Sequence, residues 1–189
     1  KKNRSVIPPE QMARLKTFAA ENNKHFLLAC YVLYYCFIRP KEMSYIRIQD
    51  ISVRKGTIFV PGEVAKNRQD ATVTLPDKVL KLMLELEVFK NPGSYYLFSN
   101  KMLPGKEYRQ DKQFRDYWTH HIRKTLRFPP EYKFYSLKDT GITDLIRDNA
   151  DLLSVRDQAR HHSLLMTDIY TPHDIEQANE FIRKREAEF

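Results

Sequence analysis

Arg39, Lys66, Lys138, His161 and Tyr170 are basic or phenolic, and each falls where a patterned segment begins, ends or turns, with spacings of 27, 72, 23 and 9 residues. Cations drawn together from distant parts of a chain can stabilise charge on the oxygens of an anion. A phenol, protonated with an ordinary pKa of about 10, can act as a nucleophile once its proton has somewhere to go. Each residue also has a plainer reading: Arg39 and Glu42 as a helix salt bridge, Lys66 as a solubilising hairpin residue, His161 as a core histidine, and Tyr170 as one of eleven tyrosines. Other chemistries lack their usual sequence support. There is no Gly-rich phosphate loop, Gly-x-Gly-x-x-Gly, Gly-x-Ser-x-Gly or His-Glu-x-x-His. The pairs His120-His121 and His161-His162 are sequence neighbours, which project to different faces of a helix and chelate poorly. Asp139, Asp144, Asp148 and Asp151 leave a metal-dependent nuclease as an alternative, although Asp144 and Asp148 at four-residue spacing also suit a solvated helix face.

The elements that would position these residues are mostly helical. Pro8-Pro9-Glu10 opens a helix with Met12, Leu15, Phe18 and Ala19 on one face, ended by Glu21-Asn22-Asn23. The apolar run from Phe26 to Ile38 is too long for a strand and too short to span a bilayer, so it reads as a buried central helix. Arg39-Pro40 breaks it, and Pro40 to Tyr45 forms a short helix with Arg39 held at the junction. Ile46–Ile48, Ile51–Val53, Thr57–Val60 and Ala71–Leu75 read as short antiparallel strands, the middle pair joined by the Lys55-Gly56 turn and the last preceded by Asn67–Asp70. Helical patterns follow after Pro76, from Lys112 to Leu126, Leu137 to Arg147 and Leu152 to Gln158. A charged helix from Asp174 to Glu188 carries the apolar stripe Ile175, Ala178, Phe181 and Ile182. The fold class is therefore mainly α with a small antiparallel sheet.

Composition sets the outer limits. With 189 residues, 42% hydrophobic and 30% charged, the chain reads as one globular domain, and no run approaches the roughly 18 apolar residues of a membrane helix. Cys30 and Cys36 lie in the apolar run, where they serve as small buried hydrophobes of a reducing compartment, the cytoplasm or a bacterial nucleoid. The start at Lys1-Lys2-Asn3-Arg4 reads as a fragment of something longer. Of the formal charge of +8, a local excess of +6 falls between Lys101 and Lys138, where ten basic residues face four acidic ones. Tyr108, Phe114, Tyr117 and Trp118 share that stretch, which is either a phosphate-binding surface or a solvated face with core aromatics beneath it.

Two boxes then resemble the catalytic domain of the tyrosine recombinase and phage integrase family. Tyr35-Cys36-Phe37-Ile38-Arg39-Pro40-Lys41-Glu42-Met43 is similar to the family's first arginine box, with Glu42 supporting Arg39. His161-His162-Ser163-Leu164-Leu165-Met166-Thr167-Asp168-Ile169-Tyr170 is similar to its Gly-His-Ser segment and the Ile-Tyr nine residues on, with Arg160 in place of the usual glycine. Lys66 takes the place of the family's hairpin lysine, with Lys55 a weaker competitor. Tyr135-Ser136-Leu137-Lys138 stands where the family has His-x-x-Arg, and Asp139-Thr140-Gly141 follows where His-Thr is usual. Lysine for arginine exchanges a two-pronged phosphate clamp for a point charge.

The resemblance implies a catalytic domain over 1–189 without the family's upstream DNA-binding domains, acting on double-stranded DNA and encoded by a bacterium, phage or mobile element. It implies strand cleavage and rejoining through a 3′-phosphotyrosyl intermediate, with no metal, ATP or other cofactor. Tyr170 would be the nucleophile, its proton loss helped by neighbouring cations. Arg39, Lys138 and His161 would bind the phosphate, Lys66 would be the general acid, and Tyr135 an orienting hydroxyl. It also implies a tetramer on DNA, with the C-terminal helix donated to a neighbour. A catalytically decayed DNA-binding relative of the same fold is the alternative.

Overall fold

In the computed structural model, residues 3–170 and residues 183, 184 and 186 are described. The first helix, α1 (Pro9–Asn22), starts on two prolines whose fixed backbone and missing N–H suit a first turn. Asn23, in an extended conformation, ends α1, and its side chain accepts the Phe26 N–H to cap α2 (Lys24–Cys36). As predicted, α2 is the buried central helix: Phe26, Leu27, Leu28, Ala29, Cys30, Val32, Leu33 and Cys36 are all buried along it. Both thiols are buried, which pushes Cys36 up to about 12 and Cys30 higher still, as inert core residues. Phe37 then takes a left-handed conformation, φ 57°, which turns the chain into α3 (Pro40–Met43).

The sheet has the order β1 (Ile51–Ser52), β2 (Thr57–Val60), β3 (Ala71–Thr74), antiparallel throughout, with Ile58 opposite both Ile51 and Val73. Those three are buried, while Phe59 and Thr72 point outward, as a two-residue period demands. Gly56, at φ 64°, makes the β1–β2 turn. The segment expected as a strand at Ile46–Ile48 joins no sheet and forms only a single antiparallel bridge, Arg47 opposite Tyr96. The Asp50 carboxylate accepts the Arg47 N–H at 2.8 Å and diverts Ile48–Asp50 into a 3₁₀ turn, while Ile46 and Ile48 bond to the backbone of Leu97 and Tyr95.

Next come α4 (Asp77–Glu85), α5 (Lys112–Tyr117), a π-helical turn (Trp118–Arg123) and α6 (Lys124–Leu126), the last three forming the single helical segment expected from Lys112 to Leu126. Phe114 stacks on Phe134 at 5.5 Å between ring centres, and the Trp118 indole N–H donates to the Tyr132 carbonyl at 2.8 Å. Phe114 and Trp118 are core while Tyr108 is exposed, and the basic residues of the same stretch, buried Lys138 apart, lie outside them. The chain continues through α7 (Ser136–Arg147), α8 (Leu152–Ala159) and α9 (Leu164–Asp168). The helix expected over 174–188 falls, but for residues 183, 184 and 186, outside the described residues. Among those described, no helix is long and apolar enough to cross a membrane.

The packing of α7 on α2 matters most for the position of the cationic residues, because Arg39 leaves the end of α2 and Lys138 sits in the first turns of α7. Gly141 allows that approach: a Cβ there would lie 2.0 Å from the Tyr34 carbonyl oxygen. The Tyr34 hydroxyl donates to Asp144 at 2.6 Å across the same contact. Gly141→Ala should therefore force the helices apart at a cost of about 1–3 kcal/mol or more. At this chain length that is a fall in Tm of roughly 2–4 °C per kcal/mol. An unchanged thermal melt would show that the α2–α7 contact is looser than this approach requires.

Candidate active site

Arg39 caps α3, and Glu42, three residues on, turns back to accept the Arg39 N–H at 2.8 Å. The Arg39 Nη1 lies 3.4 Å from Glu42 Oε1. From the other side Arg160 grips the same carboxylate with both terminal nitrogens, Nη1 to Oε1 at 2.9 Å and Nη2 to Oε2 at 2.6 Å, and Nη2 also reaches the Phe37 carbonyl at 3.3 Å. The side chains of Arg160 and Glu42 are 6% and 1% exposed, so this is a two-pronged ion pair inside the protein. Burial disfavours the Glu42 charge, but the hydrogen bonds and charge of Arg160, then the Arg39 backbone and guanidinium, outweigh it and hold the carboxyl below its usual range. The Arg160 Nε–H is buried with no hydrogen-bond partner among the described residues, a donor that Glu42 does not consume.

Lys138 is 3% exposed. Desolvation, followed by the charges of Arg39 and Arg160, brings its ammonium down to about 7 against the opposing pull of Glu42 and Asp139. Three cations from α2–α3, α7 and the end of α8 thus share one buried locality with a single firmly paired carboxylate. Two of the predicted residues, Arg39 and Lys138, come together here.

Tyr170 is half-buried against the small cluster of Phe37, Ile142, Val155 and Ala159. Its ring lies nearly parallel to that of His161, 6.2 Å between centres, and His161 Nδ1 is 2.9 Å from the Thr167 hydroxyl. The Tyr170 hydroxyl donates to Asp139 Oδ1 at 3.0 Å. Arg4 holds the other side of that carboxylate through an Nε–Oδ2 ion pair, with its guanidinium 4.3 Å from the centre of the Tyr135 ring. The expectation that cations lower the Tyr170 phenol is not met in this arrangement. Burial and the Asp139 charge and hydrogen bond raise it, and Arg4 only partly offsets them. Tyr135 underlies both Arg4 and Lys138, whose Nζ is 6.0 Å from its ring centre.

Lys66 is exposed on the connection between β2 and β3 and lines one depression with Arg39, Lys41, Glu42 and Arg68. Asn67 and Gln69 of the same connection line another with Arg160 and His161. The connection therefore borders both arginines. Gln158 fixes α8 beside it: the amide of Gln158 takes the Thr74 N–H at 2.9 Å and donates to the Thr74 carbonyl at 2.8 Å, as a neighbouring strand would. On the other flank, Lys112, Arg115, Arg123 and Lys133 share a depression with Pro40 and Tyr135, which places the basic stretch next to Arg39. The metal-nuclease alternative finds no support: Asp144 is taken by Tyr34, and among the described residues no three His, Cys, Asp or Glu side chains converge as metal ligands.

Three contributors escaped the sequence reading: Arg160, Arg4 and Gln158. Arg160 carried a signal, as a long charged residue where the resembling motif has glycine. Its backbone is still left-handed, φ 55°, the conformation that favours glycine. Arg4 and Gln158 carried none, since their partners lie 135 and 84 residues away.

Against this geometry, comparison with known proteins is specific. A tyrosine recombinase of Thermosipho africanus is 28% identical over 165 residues, which is 85% of this chain and 54% of that protein. The tyrosine recombinase XerC of Oceanobacillus iheyensis is 29% identical over 145 residues, 74% of this chain and 46% of that protein. The chain thus spans about half the length of these relatives. In fold it resembles the XerA recombinase, with a TM-score of 0.70 and 18% identity over 97% of this chain and 66% of that one. It also resembles the Tn1549 transposon integrase in complex with a circular intermediate DNA, with a TM-score of 0.75 and 14% identity over 90% of this chain and 62% of that one. Residues 5–177 match the phage integrase family, and the chain belongs to that family.

Proposed function

We propose that this chain is the catalytic domain of a site-specific DNA recombinase or integrase that cuts and rejoins strands through a 3′-phosphotyrosyl intermediate, independent of metal and ATP. The observation that carries the reading is the assembly of buried Lys138, the largely buried Arg160 side chain and half-buried Arg39 near Glu42. Positive charge at such density is costly to hold out of water and is relieved by one more anion. A phosphodiester fits, because Arg39 and Lys138, with Arg160 securing Glu42, leave donors for the non-bridging oxygens of a pentacoordinate phosphorus. The named relatives, recombinases and an integrase solved with DNA, support double-stranded DNA as the partner.

In this mechanism the Tyr170 oxygen attacks the scissile phosphorus and the bond to the 5′-oxygen breaks. Arg39, Lys138 and His161 stabilise the non-bridging oxygens, and Lys66, on its exposed connection, protonates the departing 5′-oxygen. Tyr135 supports Lys138 from below. The phosphotyrosyl ester retains the phosphodiester energy, so a second strand's 5′-hydroxyl reverses the attack. A tetramer with exchange of the C-terminal helix is part of the proposal by family resemblance; the segment concerned, 174–188, lies mostly outside the described residues. The site of action is wherever the DNA is, the cytoplasm of a bacterial host. By family resemblance, additional DNA-binding domains in the whole protein are part of the proposal, and the chain's span of about half of its relatives is compatible with them.

A second reading, a decayed DNA-binding relative, is favoured by one observation, the turn of the Tyr170 hydroxyl onto Asp139 instead of the cation cluster. Nicked DNA that traps the cleaved strand separates the two. A recombinase gives a covalent protein–DNA band that survives chelators, lost with Tyr170→Phe and slowed about 10²-fold to 10³-fold with Arg39→Ala; a binder gives no band. The basic flank makes a separate prediction. Each phosphate contact contributes about 0.9 to the salt slope, so Arg115→Ala with Arg123→Ala should flatten log Kd against log salt by about 2. An unchanged slope would remove that face from the DNA interface.

A further inference from the structure

We propose that Asp139 is the general base of strand cleavage, its Oδ1 taking the Tyr170 proton as the phenolic oxygen bonds to phosphorus. The assignment rests on the recombinase reading and fills a role which that reading leaves open. The groups around the nucleophile offer few acceptors. Tyr135, standing where the family has histidine, is a phenol and has no basic lone pair at neutral pH. Arg39 and Arg160 are donors only. Lys138, brought down to about 7 in the free protein, is recharged by the phosphate it binds and is then a donor as well. His161 has its Nδ1 at Thr167, 2.9 Å away, and its ring lies nearly parallel to that of Tyr170 with 6.2 Å between centres, while the phenolic hydrogen is given to Asp139. Asp139 accepts the very proton that must leave, at 3.0 Å, within the reach required of a base.

The carboxylate is built for this. Asp139 is 8% exposed, and Arg4 binds chiefly its Oδ2, with a longer Nη2 contact to Oδ1 at 3.4 Å, which leaves Oδ1 turned toward the phenol. Lys138, one residue before it, and Tyr135, beneath Arg4, complete its charged and phenolic surroundings. Burial and the negative charge of Asp139 keep the phenol protonated at rest, so attack by a preformed phenolate is not available near neutral pH. Proton transfer must therefore accompany bond formation. A carboxylate suffices at that moment, because a phenolic oxygen bonding to phosphorus becomes strongly acidic.

The step balances. The Tyr170 oxygen–phosphorus bond forms and the phosphorus–5′-oxygen bond breaks; one proton passes from Tyr170 to Asp139 and one from Lys66 to the 5′-oxygen. Religation returns both: the 5′-hydroxyl gives its proton to Lys66 and attacks, and the departing phenolate regains its proton from Asp139.

The test uses nicked DNA with sulfur in place of the bridging 5′-oxygen, a leaving group that needs no proton. On normal DNA, Asp139→Asn and Lys66→Ala should each slow adduct formation, Asp139→Asn by about 10²-fold to 10⁴-fold. On the sulfur substrate Lys66→Ala should recover to within a few-fold of the unsubstituted protein, while Asp139→Asn stays slow and Asp139→Glu regains at least part of the rate. The Tyr170 titration should fall in Asp139→Asn even as the reaction slows, so that the loss of rate does not come from a phenol harder to ionise. Adduct formation by Asp139→Asn at or above the unsubstituted rate would overturn the base and leave a restraint on the nucleophile. The unsubstituted protein gives a second test that does not depend on how variants fold. With sulfur as leaving group its rate should not climb between about pH 7 and 9, whereas attack by free phenolate climbs tenfold per pH unit. No adduct from the unsubstituted protein would overturn the recombinase reading itself; an adduct with a climbing profile would overturn only the base.

Discussion

The Glu42 carboxylate, held by Arg160 on one side and Arg39 on the other, is the interaction that the rest of the site depends on. A buried carboxylate with one weak partner would draw that partner inward. With Arg160 taking both oxygens, Arg39 is held at a looser 3.4 Å and keeps most of its donors for another anion. The arrangement has a backbone cost. Arg160 adopts the left-handed conformation at the end of α8, which disfavours a side-chain-bearing residue by about 1–2 kcal/mol. Once Glu42 is buried the strain is retained, since removing Arg160 would leave that carboxylate poorly paired at a cost of about 3–5 kcal/mol.

The scaffold explains why distant residues meet. The close approach at Gly141 brings the end of α2 against the start of α7, and so Arg39 against Lys138. The Gln158 amide ties the end of α8 to β3, which carries Arg160 and His161 to the β2–β3 connection bearing Lys66. Asp139 and Lys138, adjacent on α7, then serve opposite purposes. One is ion-paired with Arg4 and receives the phenol, and the other is left among like charges. That separation of charge along a single helical turn turns a packed core into a site with a cationic centre and a basic edge.

Most of the fold was legible because periodicity and proline placement speak for themselves. The Phe26–Ile38 run, the Pro40 break, the Gly56 turn and the segment from Lys112 to Leu126 all appear where the pattern puts them. Ile46–Ile48 does pair antiparallel, but only as one bridge at Arg47 and Tyr96, because the chain turns into the 3₁₀ turn Ile48–Asp50 directly after it. Arg39, Lys138, His161 and Tyr170 could be singled out by motif, but their relations could not. Whether Tyr170 meets cations or a carboxylate depends on contacts with Asp139, 31 residues away, and through it with Arg4, which precedes the first helix. The aromatic residues of the basic stretch likewise gave no sign in the sequence that Phe114 and Trp118 turn inward while Arg115 and Arg123 stay outside.

A buried cluster of positive charge awaits one phosphate, and this is tested most directly by following the Lys138 ammonium by NMR in lysine-labelled protein, free and saturated with target DNA. Free, Lys138 should titrate at about 7. On DNA carrying an intact phosphate at the cleavage position it should remain charged well into the alkaline range, and on the same DNA with a neutral methylphosphonate there it should not. A Lys138 titration that is identical in all three states would contradict the account.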